Sequence, residues 1–147
     1  MSITEDKLEI LETISRYSHG ADGIVAEDYA GVFTEDGIFK GRTGQPDEII
    51  LKGHRQIKAF HNAAVAGRGS RRNRHHQSTT IFLELAGNRA VTRTYLLTTT
   101  VMEGRSPMAG LTSIYEDELV KTPDGWRIKY RQILPDVKGV LRELQNK

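Results

Sequence analysis

The sequence predicts an α+β fold. The expected shape is a cone-shaped α+β barrel, with a curved, mostly antiparallel sheet wrapped around a long N-terminal helix and two further helices beside it. Three observations predict it. Residues 4–21 carry apolar side chains at helical spacing (Ile10, Leu11, Ile14, Tyr17, Ala21). From Arg74 onward the period changes to two and stays there through four long segments. Short turns join those segments, as antiparallel hairpins require. Helices followed by a meander place the helices on one face of a sheet. A sheet curled around the first helix leaves an open-mouthed cone that can hold a small apolar ligand.

Each element has its own signal. Ser2 with Glu5 three residues on forms a capping-box pattern that starts the first helix. Its polar face carries Glu9, Glu12 and Arg16, and Gly20 and Gly23 bracket its end. A second, short helix is expected over 26–33, ended by Thr34-Glu35-Asp36-Gly37. Asp36-Gly37 is a turn signal leading into a strand at Ile38-Phe39-Lys40. After a loop over 41–46, Ile49-Ile50-Leu51 reads as a short strand and 53–66 as a third helix, with Ile57, Phe60, Ala64 and Val65 inward. Gly67 to Asn73 is a mobile basic loop, and the run Arg68, Arg71, Arg72 and Arg74 is either solvated or a lid that meets an anionic substrate group. The four long strands contain the alternating sets His76/Ser78/Thr80/Phe82, Val91 through Val101, Leu111 through Leu119, and Trp126 through Leu134. Their turns are Ala86-Gly87-Asn88, residues 103–107 and Pro123-Asp124-Gly125. Val137, Val140, Leu141 and Leu144 recur at helical spacing and suggest a short docking helix.

Composition narrows the function classes. The 147 residues suit one domain. A balance of 21 basic against 19 acidic side chains, net +2, gives no field that points to nucleic acid or to a membrane. There is no cysteine, so thiolate chemistry and disulfides are excluded. The polar, acidic start is unlike a targeting peptide, and no apolar run approaches the ~20 residues of a membrane span. The expected location is the cytoplasm.

Several stretches, in order, span nearly the whole chain: Ile14-Ser15-Arg16-Tyr17, Asp22, the run from Tyr29 to Gly37, Arg74-His75-His76, Gly87-Asn88-Arg89-Ala90, the run from Tyr115 to Val120, and that from Asp124 to Ile128. In these the sequence resembles the SnoaL-like branch of the nuclear transport factor 2-like superfamily. That superfamily hosts polyketide cyclases, dehydratases, isomerases, epoxide hydrolases, dioxygenase β subunits and non-enzymatic adaptors, so the resemblance implies a fold more narrowly than a reaction. Scytalone dehydratase and related lyases use an Asp near the end of the first helix and a His at the start of the strand after the third helix. Counting back eleven residues from Phe33 puts Asp22 at the Asp position, and counting back seven from Leu83 puts His76 at the His position. His75 is then expected on the opposite face. The chain departs from that dehydratase by having Ala21 before the Asp and no histidine after His76, so the dyad alone carries over.

The residues themselves support proton transfer. Histidine moves protons near neutral pH, and a carboxylate on one ring nitrogen fixes the tautomer and stabilises the imidazolium. His76 is the expected acid/base and Asp22 its orienting partner. The alternative roles are a hydrogen-bonded strand histidine and a helix-capping aspartate. Tyr17 lies on the same helix face and is either an oxyanion donor or a core tyrosine. Phe33, Phe39 and Phe60 are expected as apolar wall, with Tyr95, Tyr115 and Trp126 as candidate lining residues of the substrate site. Glu116 and Asp117 are either ladder partners of basic residues or a carboxylate entering the cavity. His54 and His61 share a helix face at a spacing of seven, which is a poor ligand spacing. No metal and no cofactor are expected.

The function expected is a small cofactor-free lyase or isomerase: a dehydratase, isomerase or cyclase acting on a hydrophobic cyclic or polyketide-like substrate. The alternative is a non-catalytic ligand-binding or assembly domain, such as an oxygenase β-subunit-like partner. Thr98, Thr100, Arg127, Lys129, Arg131 and Ile133 are expected on the outward face of the sheet, a mixed surface. The resemblance implies sheet-to-sheet association, with a homodimer expected and a trimer as the alternative.

Overall fold

The computed structural model describes residues 2–136. The expected docking helix around Val140 lies outside the described residues. Three helices precede or interrupt the strands: α1 (Ile3–Ala21), α2 (Glu27–Gly31) and α3 (Gly53–Ala66). The strands are β1 (Phe33–Gly41), β2 (Ile49–Lys52), β3 (Arg72–Ala86), β4 (Arg89–Val101), β5 (Met108–Thr122) and β6 (Gly125–Pro135). They form one sheet in the order β2-β1-β6-β5-β4-β3. Every pairing is antiparallel except β1 with β6, and the end strands β2 and β3 do not meet, so the cone is open along one side. No helix of the described residues is long and apolar enough to cross a membrane.

The sequence signals act locally as their chemistry requires. Ser2 Oγ accepts the Glu5 amide at 3.2 Å, and Glu5 carboxylate oxygen accepts the Ser2 amide at 2.6 Å, closing the capping box. Ile10, Ile14 and Tyr17 on α1 are buried against the concave sheet face with Ile57, Leu119, Trp126 and Ile128. Full burial of each such aliphatic side chain stabilises by about 1.5–3 kcal/mol. Trp126 clamps the first half of α1 to β6. Its indole N–H donates to Asp6 Oδ1 at 2.9 Å, and its carbonyl accepts from Thr13 Oγ1 at 3.1 Å.

Two expectations about β1 are corrected. The second helix stops at Gly31 and the strand already begins at Phe33, so residues 34–37 do not form a separate turn. Val32 carbonyl is captured by the Ile128 amide at 2.8 Å, which draws the chain into the sheet early. The strand then slips register between Phe33 and Ile38. At Gly37 a Cβ would sit 2.9 Å from the Thr34 carbonyl oxygen and 3.0 Å from Phe33 Cβ, so the kink needs glycine.

Irregularities of the same kind recur around the sheet. β3 carries an extra residue relative to β4 between Ser78 and Ile81, where Thr79 takes a left-handed φ of 52°, and another between Phe82 and Glu84. β6 carries one opposite Glu118/Leu119 of β5. Each bulge bends its strand and exchanges the inward and outward sets beyond it.

Candidate functional site

α1 delivers Asp22 to the mouth of the cone. Asp22 is the C-cap of the helix, and its amide donates back to Ser18 carbonyl at 3.0 Å. The last turn of α1 is held from both sides. α2 packs on Gly20, where any Cβ would collide with the Tyr29 backbone nitrogen. β3 grips the other side through Gln77, whose amide nitrogen donates to Ile14 carbonyl at 3.1 Å and to Ser18 Oγ.

Asp22 meets His75, not His76. His75 Nδ1 lies 2.5 Å from Asp22 Oδ1, and the His75 backbone amide donates to Oδ2 at 3.3 Å. Both carboxylate oxygens are therefore committed to one residue, and the pair is mostly buried, with side-chain exposures of 18% for His75 and 6% for Asp22. His76 points through the outer face of the sheet and bonds Thr99 Oγ1 at 2.9 Å. The expectation of an Asp22–His76 pair is thus corrected, and the cause is the bulge at Ser78–Ile81. Thr80 and Phe82 do turn toward the helices. Carried back across the bulge, however, the inward set becomes Gln77, His75 and Asn73.

A cavity of about 280 Å³ lies beside the dyad, with His75 in its wall. Pockets for small ligands run from about 300 Å³ upward, so this one suits a compact molecule. Phe39, Phe60, Leu96, Leu111 and Ile133 supply apolar surface. Tyr17 and Tyr115 also line it and meet edge to face at 5.7 Å.

Behind the two tyrosines lies a fully buried ion pair. Arg131 Nε and Nη2 each donate to an Asp117 carboxylate oxygen at 2.7 Å, with neither side chain exposed. The guanidinium carbon sits 4.2 Å from the Tyr17 ring centre and 4.0 Å from that of Tyr115. Burial opposes the charge on Arg131, but Asp117 outweighs it and holds the guanidinium protonated. Burial likewise pushes both tyrosines above their ordinary range, so their hydroxyls stay as donors. The Tyr115 hydroxyl is buried with no hydrogen-bond partner among the described residues.

The remaining expected site residues divide. Phe39 and Phe60 line the cavity. Phe33 is core, packed against Tyr17 and Phe39 at ring distances of 6.1 and 6.5 Å rather than on the cavity surface. Trp126 is the clamp on α1 described above, away from the cavity. Tyr95 is 56% exposed on the outer face, because the inward set of β4 is Ala90, Thr92, Thr94 and Leu96. Glu116 is a ladder partner of Arg93 at 3.7 Å, while Asp117 enters the interior. Arg131 and Ile133, expected outward, turn inward beyond the β6 bulge, and Thr98, expected outward, faces the cavity. Val65 is exposed, and His61 takes the inward place on α3 instead.

His61 stacks on Tyr29 at 4.3 Å, and burial first, then Arg68, lowers its proton affinity. His54 Nε2 contacts the Phe33 carbonyl oxygen at 2.8 Å. Among the described residues no three of His, Asp and Glu gather as a metal site. Leu96 and Arg131 were missed by sequence reasoning, and for Arg131 a charge pair with Asp117 on the neighbouring segment was the available signal. Arg68 belongs to the basic loop, where the sequence left open a solvated role and contact with an anionic group.

The model of the SnoaL-like domain family matches residues 2–132. The chain belongs to the SnoaL-like family. This SnoaL-like domain is similar to a nuclear transport factor 2-like protein with a cystatin-like fold from Novosphingobium aromaticivorans, at 26% identity, TM-score 0.76, over 97% of this chain and 90% of that one. It also resembles ActVI-ORFA from Streptomyces coelicolor (23% identity, TM-score 0.76, 88% and 96% covered). A scytalone dehydratase-like protein from Novosphingobium aromaticivorans aligns at 21% identity and TM-score 0.74, over 92% and 89%. At these identities the last two likenesses concern the fold. No curated protein matches the sequence.

Proposed function

We propose that this SnoaL-like domain is a proton-transfer enzyme that works without a cofactor, a dehydratase, isomerase or cyclase, on a compact hydrophobic cyclic substrate. The observation that carries the reading is the Asp22–His75 pair, whose histidine lies in the cavity wall. With the proton of Nδ1 donated to Asp22, His75 Nε2 carries a lone pair and has no protein partner among the described residues. It takes a proton from the carbon next to a substrate carbonyl. The electron pair moves onto the carbonyl oxygen, where the Tyr17 hydroxyl donates a hydrogen bond. In a dehydration the enolate then expels the β-hydroxyl, and His75 returns its proton so that water leaves. In an isomerisation His75 returns the proton to a different carbon. Asp22 stabilises the transient imidazolium without taking the proton itself.

Family membership and fold likeness to a scytalone dehydratase-like protein support the reaction class. The test is ring-nitrogen NMR of the histidines in the wild type and in Asp22→Asn. His75 is expected as a single Nδ1–H tautomer that loses this preference in the variant, while His76 is unchanged. A His75 ring indifferent to the substitution would sink the dyad.

The assembly reading has its own observation. Ile81, Leu83, Tyr95, Leu97 and Met108 are exposed on the sheet. Together they make an apolar surface facing away from α1, suited to a second copy of the chain in a homodimer. Such pairing is compatible with catalysis in the cone.

A further inference from the structure

We propose that the cavity takes an acid-bearing ligand, a cyclic carboxylate, and that Arg68 is the residue that holds its anionic group. The inference rests on reading the cavity as a ligand site and adds the charge of what enters it.

The cavity wall contains two arginines and two histidines but no aspartate or glutamate. The arginines differ. Arg42 is paired with Asp47 at 2.6 Å. Arg68 has no carboxylate within salt-bridge distance among the described residues. Among the described residues its one side-chain hydrogen bond runs from Nη2 to the Ala21 carbonyl at 2.6 Å. That bond fixes the guanidinium at the end of α1, one residue before Asp22, and so on the same side of the cavity as the dyad. A cation at a helix C-terminus is a favourable cap in its own right. Capping uses one donor, however, and leaves the other four N–H groups of a planar fork whose shape matches a carboxylate.

The charge also reaches inward: after burial, Arg68 is the further influence that disfavours protonation of His61 on α3. The surroundings are apolar and half-enclosed, so the field there is weakly screened. Arg71 in the same loop and Arg72 at the start of β3 lie exposed and extend the positive potential toward solvent, where it would steer an anion to the mouth. With Phe39, Phe60 and Leu96 facing the interior, the wall is polarised into an apolar body and a cationic rim. A ring carrying one carboxylate satisfies both, and a neutral ring satisfies only the first.

The experiment is calorimetric titration of the full chain with 2-naphthoate and with 2-naphthamide, which share a ring and differ in charge. Wild type is expected to bind the carboxylate at least about tenfold more tightly, since a charge-assisted fork contributes over 1.4 kcal/mol. Arg68→Gln keeps an N–H for the Ala21 carbonyl and removes the charge. It is expected to bring the two affinities within about twofold by weakening the carboxylate alone. Arg68→Lys, with the charge retained, is expected to keep part of the preference. Equal binding of both probes by wild type, or a preference that survives in Arg68→Gln, overturns the proposal and leaves the cavity reading intact. No heat from either probe at millimolar concentration removes both. The wild-type comparison needs no variant, so it stands even if Arg68→Gln folds poorly.

Discussion

Removing Asp117 alone should be among the most damaging single changes in the chain. Asp117 and Arg131 are both inaccessible to solvent and joined by two bonds of 2.7 Å. Arg131 already carries one nitrogen, Nη1, with no hydrogen-bond partner among the described residues. Asp117→Leu would leave the whole guanidinium charged and unpaired between two tyrosine rings. Breaking a buried pair from one side costs about 3–5 kcal/mol. At roughly 2–4 °C per kcal/mol for a domain of this size, the melting temperature should fall by some 6–20 °C. Replacing both partners by apolar residues of similar volume removes the stranded charge. Asp117→Leu with Arg131→Met is therefore expected to recover most of the loss, because desolvation of the pair offsets much of its attraction. The assay is a double-mutant cycle in urea followed by circular dichroism, with equal m-values as the check on two-state behaviour. A single-variant loss under about 1 kcal/mol, or a double variant as unstable as the sum of the singles, would refute the reasoning.

Three further outcomes are expected. His61 is held below its ordinary value of 6.5 by burial and by Arg68, so the native state favours its neutral form. Stability is then fully present above that value and declines as the pH falls through it, and His61→Phe should flatten the decline in urea midpoints between pH 7 and 5. Gly20→Ala should lower stability by about 1–3 kcal/mol by overpacking, although alanine alone favours helix, because the new Cβ would lie 2.7 Å from the Asp28 carbonyl carbon; a melting temperature at or above wild type contradicts this. Tyr95→Lys should shift the sedimenting species toward monomer and leave the circular dichroism spectrum unchanged, since its side chain is outside the core; an unaltered mass at all concentrations argues against pairing through that face.

Much of the fold was legible because its signals are local. The capping box at Ser2, the helical stripe from Ile10 to Ala21 and the third helix over 53–66 coincide with the elements in the structure. So does the period-two pattern of β5 from Leu111 to Leu119. These follow from neighbours three, four or two residues apart, which any sequence displays. Asp22 was legible for the same reason, as the residue closing an amphipathic helix.

Which histidine it meets was not. Along β3 the choice between His75 and His76 turns on one extra residue near Thr79, and along β6 the inward turn of Arg131 depends on one extra residue opposite Leu119. A bulge is absorbed by the partner strand's register and the curvature of the whole sheet, so no local pattern announces it. β4 misleads further. Its more apolar set, Val91, Tyr95 and Leu97, faces away from the helices, while threonines and Leu96 face in. Sequence by itself determined which elements form and which residue types are available for chemistry. Tertiary structure decided which of them share the cavity, because in a strand one inserted residue moves every later side chain to the other face.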